Sequence, residues 1–375
     1  MFQQSIVKEG KTELIVPDSS IREKVPPRDP AFFNPLGALK RDVLVAVVAG
    51  YAANLGSKII YGDPLAGVGA GSIRVCNETN ARRVYVNDLN PNAIELAKAS
   101  AKLNSVYRKC SFSLYEANDF LSKHSGPHKR FDCIELDPFG SPAPFLESAV
   151  RACKIRGLVS ATATDGAVLC GVHPEVCLRK YGSNSLNTEY CHEIAVRILY
   201  GAMAFAAMRF DLGISPVFAH TTRHYAKINA MINAKPVLTS KEIGYVSHCF
   251  SCGARTIDKT IIAKCQECGK KTKSAGPLWI GELFNGQIVK KSLEFAPTKK
   301  SKQLLEGALD EIGAPKTYFV VDKICDYLGI PPPPLLKVIN VLQKKRFSAV
   351  RTILNPRAVR TDAPAIKLKE ILKSA

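Results

Sequence analysis

KIIYGDPLAGVGAGSI, residues 58–73, reads as a short β-branched strand that runs into a glycine-rich turn and opens a helix. Asp63 ends the strand, and Gly67 and Gly69 let the backbone approach a ligand that a Cβ would exclude. Outward from that turn, RRVYVNDLN (82–90) is a second strand with Asp88 at its carboxyl end, and NPNAIELAKASAKLN (90–104) is the helix after it. SFSLYEAND (111–119), FDCIELDPFG (131–140) and GLVSATATD (157–165) continue as strands, with the helical stretch ESAVRACKI (147–155) between the last two. This alternation predicts an α/β fold, a parallel sheet with helices on both faces and ligands collected at the carboxyl ends of its strands.

A chain of 375 residues is long for one core and comfortable for two. At 46% hydrophobic and 23% charged residues it has the profile of a folded soluble protein. The formal charge of +19 favours a polyanionic partner. From Met231 onward there are 25 Lys and Arg against 12 Asp and Glu, so the surplus is concentrated in the C-terminal part. The α/β pattern breaks near Ala230–Ser240, which predicts an α/β domain over 1–232 and a smaller, basic α+β domain over 233–375. The longest apolar candidate, Ile198–Met208, is short of a membrane span, and the N-terminus lacks the apolar run of a signal peptide. An intracellular monomer with no membrane partner is expected, cytoplasmic and nuclear placement both standing open.

In the second domain, Cys249-x-x-Cys252 and Cys265-x-x-Cys268 are each followed by glycine, Gly253 and Gly269. Four thiolates at this spacing predict a closed, structural zinc site. His248 beside it reads as a surface residue, and Cys153, Cys170 and Cys177 as small buried ones. His192 and Glu193 lie on a predicted helix with Arg197 and read as internal packing, while Asp165 at a strand end is a candidate for substrate or cofactor contact. Near the end, Leu335, Val338, Ile339 and Leu342 form one buried helical stripe that closes with Lys344, Lys345 and Arg346, followed by short strands, a winged-helix-like pattern.

Asp88 lies 21 residues beyond Gly67, where an acid hydrogen-bonds the ribose hydroxyls of an adenosine in nicotinamide and S-adenosylmethionine enzymes alike. Asp137-Pro138-Phe139 separates the two. The exocyclic amine of a purine is a poor nucleophile, and it is helped by acceptors for its two N–H groups, the Asp137 carboxylate and the Pro138 carbonyl, with Phe139 as a stacking face.

These residues, with AFFNPLGALKRD (31–42), DPFGSP, TATDGAVLCG, CLRKYG, TEYCHEIAVRIL, AGPLW and RTDAP in that order, closely resemble the signatures of the tRNA guanine-26 N2-dimethyltransferase family. The resemblance implies a class I, Rossmann-like methyltransferase that uses S-adenosyl-L-methionine on a guanine amine of tRNA. It implies that Arg41, Arg74, Asp88, and Glu116 with Ala117 contact that cofactor, that Asp137 is catalytic, and that Phe32 and Phe139 sandwich the target base. Two alternatives stand beside it: an adenine amino-methyltransferase, whose turn usually carries a second proline, and a tRNA-binding relative without activity. The family's Gly-Ile-Arg-Gly-Ile-Arg appears here as Gly69-Ala70-Gly71-Ser72-Ile73-Arg74, with Gly71 in place of the first arginine.

Overall fold

The computed structural model describes residues 2–222 and 225–374. By spatial compactness the chain forms two units, one of Met1–Thr162, Asn229–Ala234 and Gly286–Glu306, the other of Ala163–Ile228, Lys235–Asn285 and Gly307–Ala375.

The first unit opens with an antiparallel hairpin, β1 (Gln4–Glu9) and β2 (Thr12–Pro17). Its sheet contains β3 (Ile60–Asp63), β4 (Arg83–Asn87), β5 (Cys110–Ser113), β6 (Phe131–Leu136) and β7 (Cys153–Ala163), with β3–β4, β4–β5, β3–β6 and β6–β7 pairing in parallel. With β8 (Gly213–Thr221) and β9 (Ala226–Asn233) the strand order is β5-β4-β3-β6-β7-β9-β8. All six residues of β6 are buried, as expected of a parallel strand covered on both faces. The order reverses at β3, which lies between β4 and β6, and the crevice beyond the strand ends at such a switch point is where α/β folds bind ligands.

Helices follow their sequence signals. Pro91–Leu103 has Asn90 as its cap, accepting from the Asn92 and Ala93 amides, and proline in its first turn. Ala38–Leu55 buries Arg41 through Ala52 without interruption, packs against Gly286–Leu293 and closes at Gly56 with φ 71°.

In the second unit β10 (Ile243–His248) pairs antiparallel with β11 (Arg255–Asp258) and β12 (Lys273–Trp279). A second three-stranded sheet, β13 (Phe319–Val320), β14 (Ala349–Thr352) and β15 (Asn355–Thr361) in the order β13-β15-β14, joins helices Val321–Leu328, Leu335–Lys344 and Ala365–Lys373 in the expected winged-helix arrangement. Val338, Ile339 and Leu342 are buried in its core, together with Cys249, Cys252 and Cys265.

Three local expectations are corrected. Helix Cys191–Met208 is 18 residues long and, by length and composition, apolar enough to cross a membrane, with 78% of it buried inside the protein. Two of its charges, Glu193 and Arg197, pair with each other inside the protein at 2.8 Å. His248 is buried, because it ends β10 and packs its ring against Tyr190 and Phe250 at centroid distances of 5.5 and 4.5 Å. Cys153 and Cys177 are buried as expected, but Cys170, just past the short helix Gly166–Leu169, is half-buried.

Candidate active site

Four acids mark the carboxyl edge of four neighbouring strands: Asp63 ends β3, Asp88 follows β4, Glu116 lies beyond β5 and Asp137 follows β6. Their environments differ. Asp63 is buried, accepting from Ser72 Oγ at 2.6 Å and the Leu65 amide at 3.2 Å. Burial pushes its carboxyl up to about 8 despite those bonds, with Glu135 and Asp137 adding to the rise. At neutral pH it is therefore a protonated brace of the turn rather than a charge.

Asp88 is half-buried, its Oδ2 accepting from the Gly67 amide at 2.7 Å and its Oδ1 from the Asn90 amide at 2.9 Å. One carboxylate thus ties the glycine turn to the strand beside it. Each of its oxygens retains a second lone-pair direction, which suits the hydroxyl pair of a ribose. Gly67 and Gly69 have φ of 54° and 73°, and a Cβ on Gly69 would come within 2.8 Å of the Ala97 Cβ, so this turn needs glycine there. Glu116 is exposed and caps helix Ala117–Lys123 through the Asn118 and Asp119 amides, while Ala117 is buried under it.

Asp137 is half-buried at the mouth of β6, and Lys40 Nζ reaches its two oxygens at 2.7 and 2.5 Å. Pro138 is buried, whereas the Phe139 ring is 58% exposed. Phe32 meets Phe139 edge to face, with centroids 4.8 Å apart at 77°, and the Arg28 guanidinium lies 4.8 Å from the Phe139 centroid. The structure thus brings Phe32, Asp137 and Phe139 together, with the two rings in mutual contact.

The two arginines sit deeper. Arg41 is held bidentately by Glu9, at 2.7 and 2.6 Å, and donates to the Asn34 carbonyl at 3.0 Å. Its guanidinium lies 4.9 Å from the centroid of buried Phe33. Arg74 is wholly buried among Asp42 at 2.8 Å, Glu78 at 2.9 Å and Glu9 at 3.4 Å. It braces Glu9, which in turn orients Arg41. Lys40 and Asp42 lie in the 31–42 signature and Glu9 in no motif, and the spacing of none of them gave a sign of these pairings.

In the second unit Cys249 Sγ lies 3.5 Å from Cys268 Sγ, and Cys252 Sγ 3.5 Å from Cys265 Sγ. All four sulfurs fall within 4.8 Å of one another. Thiolates around a tetrahedral zinc at about 2.3 Å lie roughly 3.8 Å apart, so the set fits that ion. Gly253 and Gly269, at φ 82° and 71°, donate back to the Cys249 and Cys265 carbonyls and close the two knuckles. Asp165 accepts from Tyr181 Oη at 2.8 Å and faces Lys180 at 3.4 Å.

The chain is similar to known proteins over nearly its whole length. The pattern of the family described as "N2,N2-dimethylguanosine tRNA methyltransferase" matches residues 10–373. The tRNA (guanine(26)-N(2))-dimethyltransferase of Methanobrevibacter smithii is 34% identical over 387 residues, covering 100% of this chain and 98% of its own. The tRNA (guanine(26)-N(2)/guanine(27)-N(2))-dimethyltransferase of Aquifex aeolicus is 32% identical over 386 residues, covering 98% and 95%. Among solved structures, that of Trm1 from Pyrococcus horikoshii in complex with S-adenosyl-L-methionine superposes with a TM-score of 0.83 at 30% identity, covering 98% of this chain and 99% of the other.

Proposed function

We propose, from the premise that this chain belongs to the N2,N2-dimethylguanosine tRNA methyltransferase family, that the crevice between Asp88 and Asp137 is where a guanine N2 of tRNA, at position 26, is methylated. The observation that carries this assignment is Asp137, a strand-end carboxylate beside two aromatic rings, already hydrogen-bonded to an amine, the Lys40 ammonium. S-adenosyl-L-methionine supplies a methyl group on a sulfonium, an electrophile that needs little beyond alignment.

The protein's own residues do the rest. Asp88 holds the ribose hydroxyls through its remaining lone pairs, Gly67 and Gly69 bring the backbone close, and Glu116, Ala117 and Arg41 contact the same cofactor, with Arg74 fixing Arg41 through Glu9. Phe32 and Phe139 part to admit the guanine, which must leave its stack to enter. Asp137 and the Pro138 carbonyl accept from the N2 amine and raise its nucleophilicity, and Asp137 takes the proton that the amine sheds as the methyl–sulfur bond gives way to the N–C bond, a neutral thioether being the leaving group. The Cys249, Cys252, Cys265 and Cys268 set holds a structural zinc ion, and the basic 233–375 part grips the tRNA body.

The test is mass analysis of nucleosides from tRNA incubated with the protein and S-adenosyl-L-methionine. N2-methylated guanosine should appear with wild type and be lost with Asp137→Ala, which still binds tRNA. Methyl groups on adenine, or an undiminished Asp137→Ala, would overturn the assignment.

A further inference from the structure

A second group of metal-ligating side chains lies in the second unit, apart in sequence from the four-cysteine set of the two knuckles. Cys170 follows the short helix Gly166–Leu169, and Cys191 and His192 are the first two residues of helix Cys191–Met208. Their two sulfurs and an imidazole nitrogen all lie within 4.8 Å of one another. All three residues are half-buried, so solvent reaches the cluster while the protein walls part of it. We propose that Cys170, Cys191 and His192 form a second metal site, for a thiophilic divalent cation such as zinc, with three protein ligands and a fourth position open to solvent.

The chemistry of the donors agrees. Thiolate and imidazole together select zinc-like ions, and two thiolates, one imidazole and one exchangeable position make an established coordination pattern for zinc. Thiolates closing on zinc sit about 3.8 Å apart, so the present spacing needs at most about an ångström of side-chain adjustment. Cys191 opens an 18-residue helix, whose positive dipole end favours a thiolate. On binding, two thiol protons leave to solvent and no change of oxidation state occurs. The ion joins the segment after Asp165 to the start of the long core helix. Having one ligand fewer than the four-cysteine site, it should release its ion sooner to a chelator.

The experiment uses the full-length protein, reduced, stripped by chelator and reloaded with zinc alone, with bound metal counted by mass spectrometry after desalting. Wild type should retain one equivalent more than Cys191→Ser or the size-matched His192→Gln, all three proteins keeping the ion of the four-cysteine site. Reloading with cobalt should show a thiolate-to-metal absorption that is weaker in Cys191→Ser than in wild type, with circular dichroism reporting that both variants are folded. Equal metal content in all three would overturn the site, as would a Cys170–Cys191 disulfide in the purified protein with no extra equivalent after reduction.

Discussion

Lys40 and Asp137, 97 residues apart, form a bidentate ion pair in which the ammonium takes both oxygens of the acceptor assigned to the guanine amine. On the proposed assignment the amine of the substrate would take the place of the Lys40 ammonium, on a carboxylate aimed before the base arrives. Asp137→Ala should cut methylation by about 10²–10⁴-fold, with tRNA affinity nearly unchanged. Lys40→Met should slow it by roughly tenfold, and the double variant should be no slower than Asp137→Ala alone, because the two act as a unit. Single-turnover rates at saturating tRNA check this; additive losses would separate the pair.

Phe32 and Phe139 touch edge to face, so a stacked base has to part them. Replacing either with Ala should weaken capture of the flipped guanine by about 1–3 kcal/mol, the worth of one stacking face. The fluorescence of 2-aminopurine placed at position 26 reads the flip directly. An unaltered signal in both variants would place the base elsewhere.

Asp63 offers a pH signature. Its folded value, about 8, lies above its ordinary 3.8, so the folded state holds a proton the unfolded chain has lost. Its stabilising effect is complete below about pH 4 and falls away as pH rises through 8. Asp63→Asn should bind S-adenosyl-L-methionine at pH 7 within a few-fold of wild type, whereas Asp63→Ala should lose affinity. Calorimetry between pH 6 and 9 should show stability falling in wild type and holding steadier in the Asn variant.

Glu193 has the opposite sign. Burial alone would raise its carboxyl, but Arg360 and then Arg197 outweigh it and bring it down to about 2 from 4.5. It therefore stabilises the fold above about pH 4.5, and the contribution is lost as pH falls towards 2. The Glu193 carboxylate also accepts from the Thr317 amide at 2.9 Å. Glu193→Gln should cost about 3–5 kcal/mol at pH 7, the range for breaking a buried pair, and should flatten the acid limb of a denaturant titration.

Lys344, Lys345 and Arg346 are exposed at the end of helix Leu335–Lys344. Neutralising all three should weaken binding of every tRNA alike and lower the salt slope by up to about three, leaving the choice of guanine intact. Normal affinity at every salt concentration would turn that helix away from the tRNA. Methylation of a different guanine would give the second domain a part in site selection.

What could be read before folding was what the chain writes locally. Strand ends announce Asp88 and Asp137 because each acid directly follows a strand-like run, RVYVN and FDCIEL, and opens the turn after it, and the knuckles announce their sulfurs by spacing alone. Lys40 was silent: it lies in a helix that carries no acid partner for it, and its pairing exists only once β6 is in place. Arg74 shows the complementary limit, since a motif arginine reads the same whether its head faces a ligand or is enclosed by Glu9, Asp42 and Glu78. His248 and Cys170 failed on exposure, which depends on what packs against a residue and not on its neighbours in the chain.

The first compact unit is assembled from three separated stretches of chain, the last being Gly286–Glu306. During synthesis the helix Ala38–Leu55 emerges long before its packing partner Gly286–Leu293, and its apolar face must wait for it. The order of translation is therefore not the order of completion: the unit that begins at the N-terminus finishes only after most of the second unit has left the ribosome. A nascent chain stopped near residue 232 would carry the Asp63, Asp88 and Asp137 edge on an unfinished core, and would be a client for chaperones rather than a small enzyme.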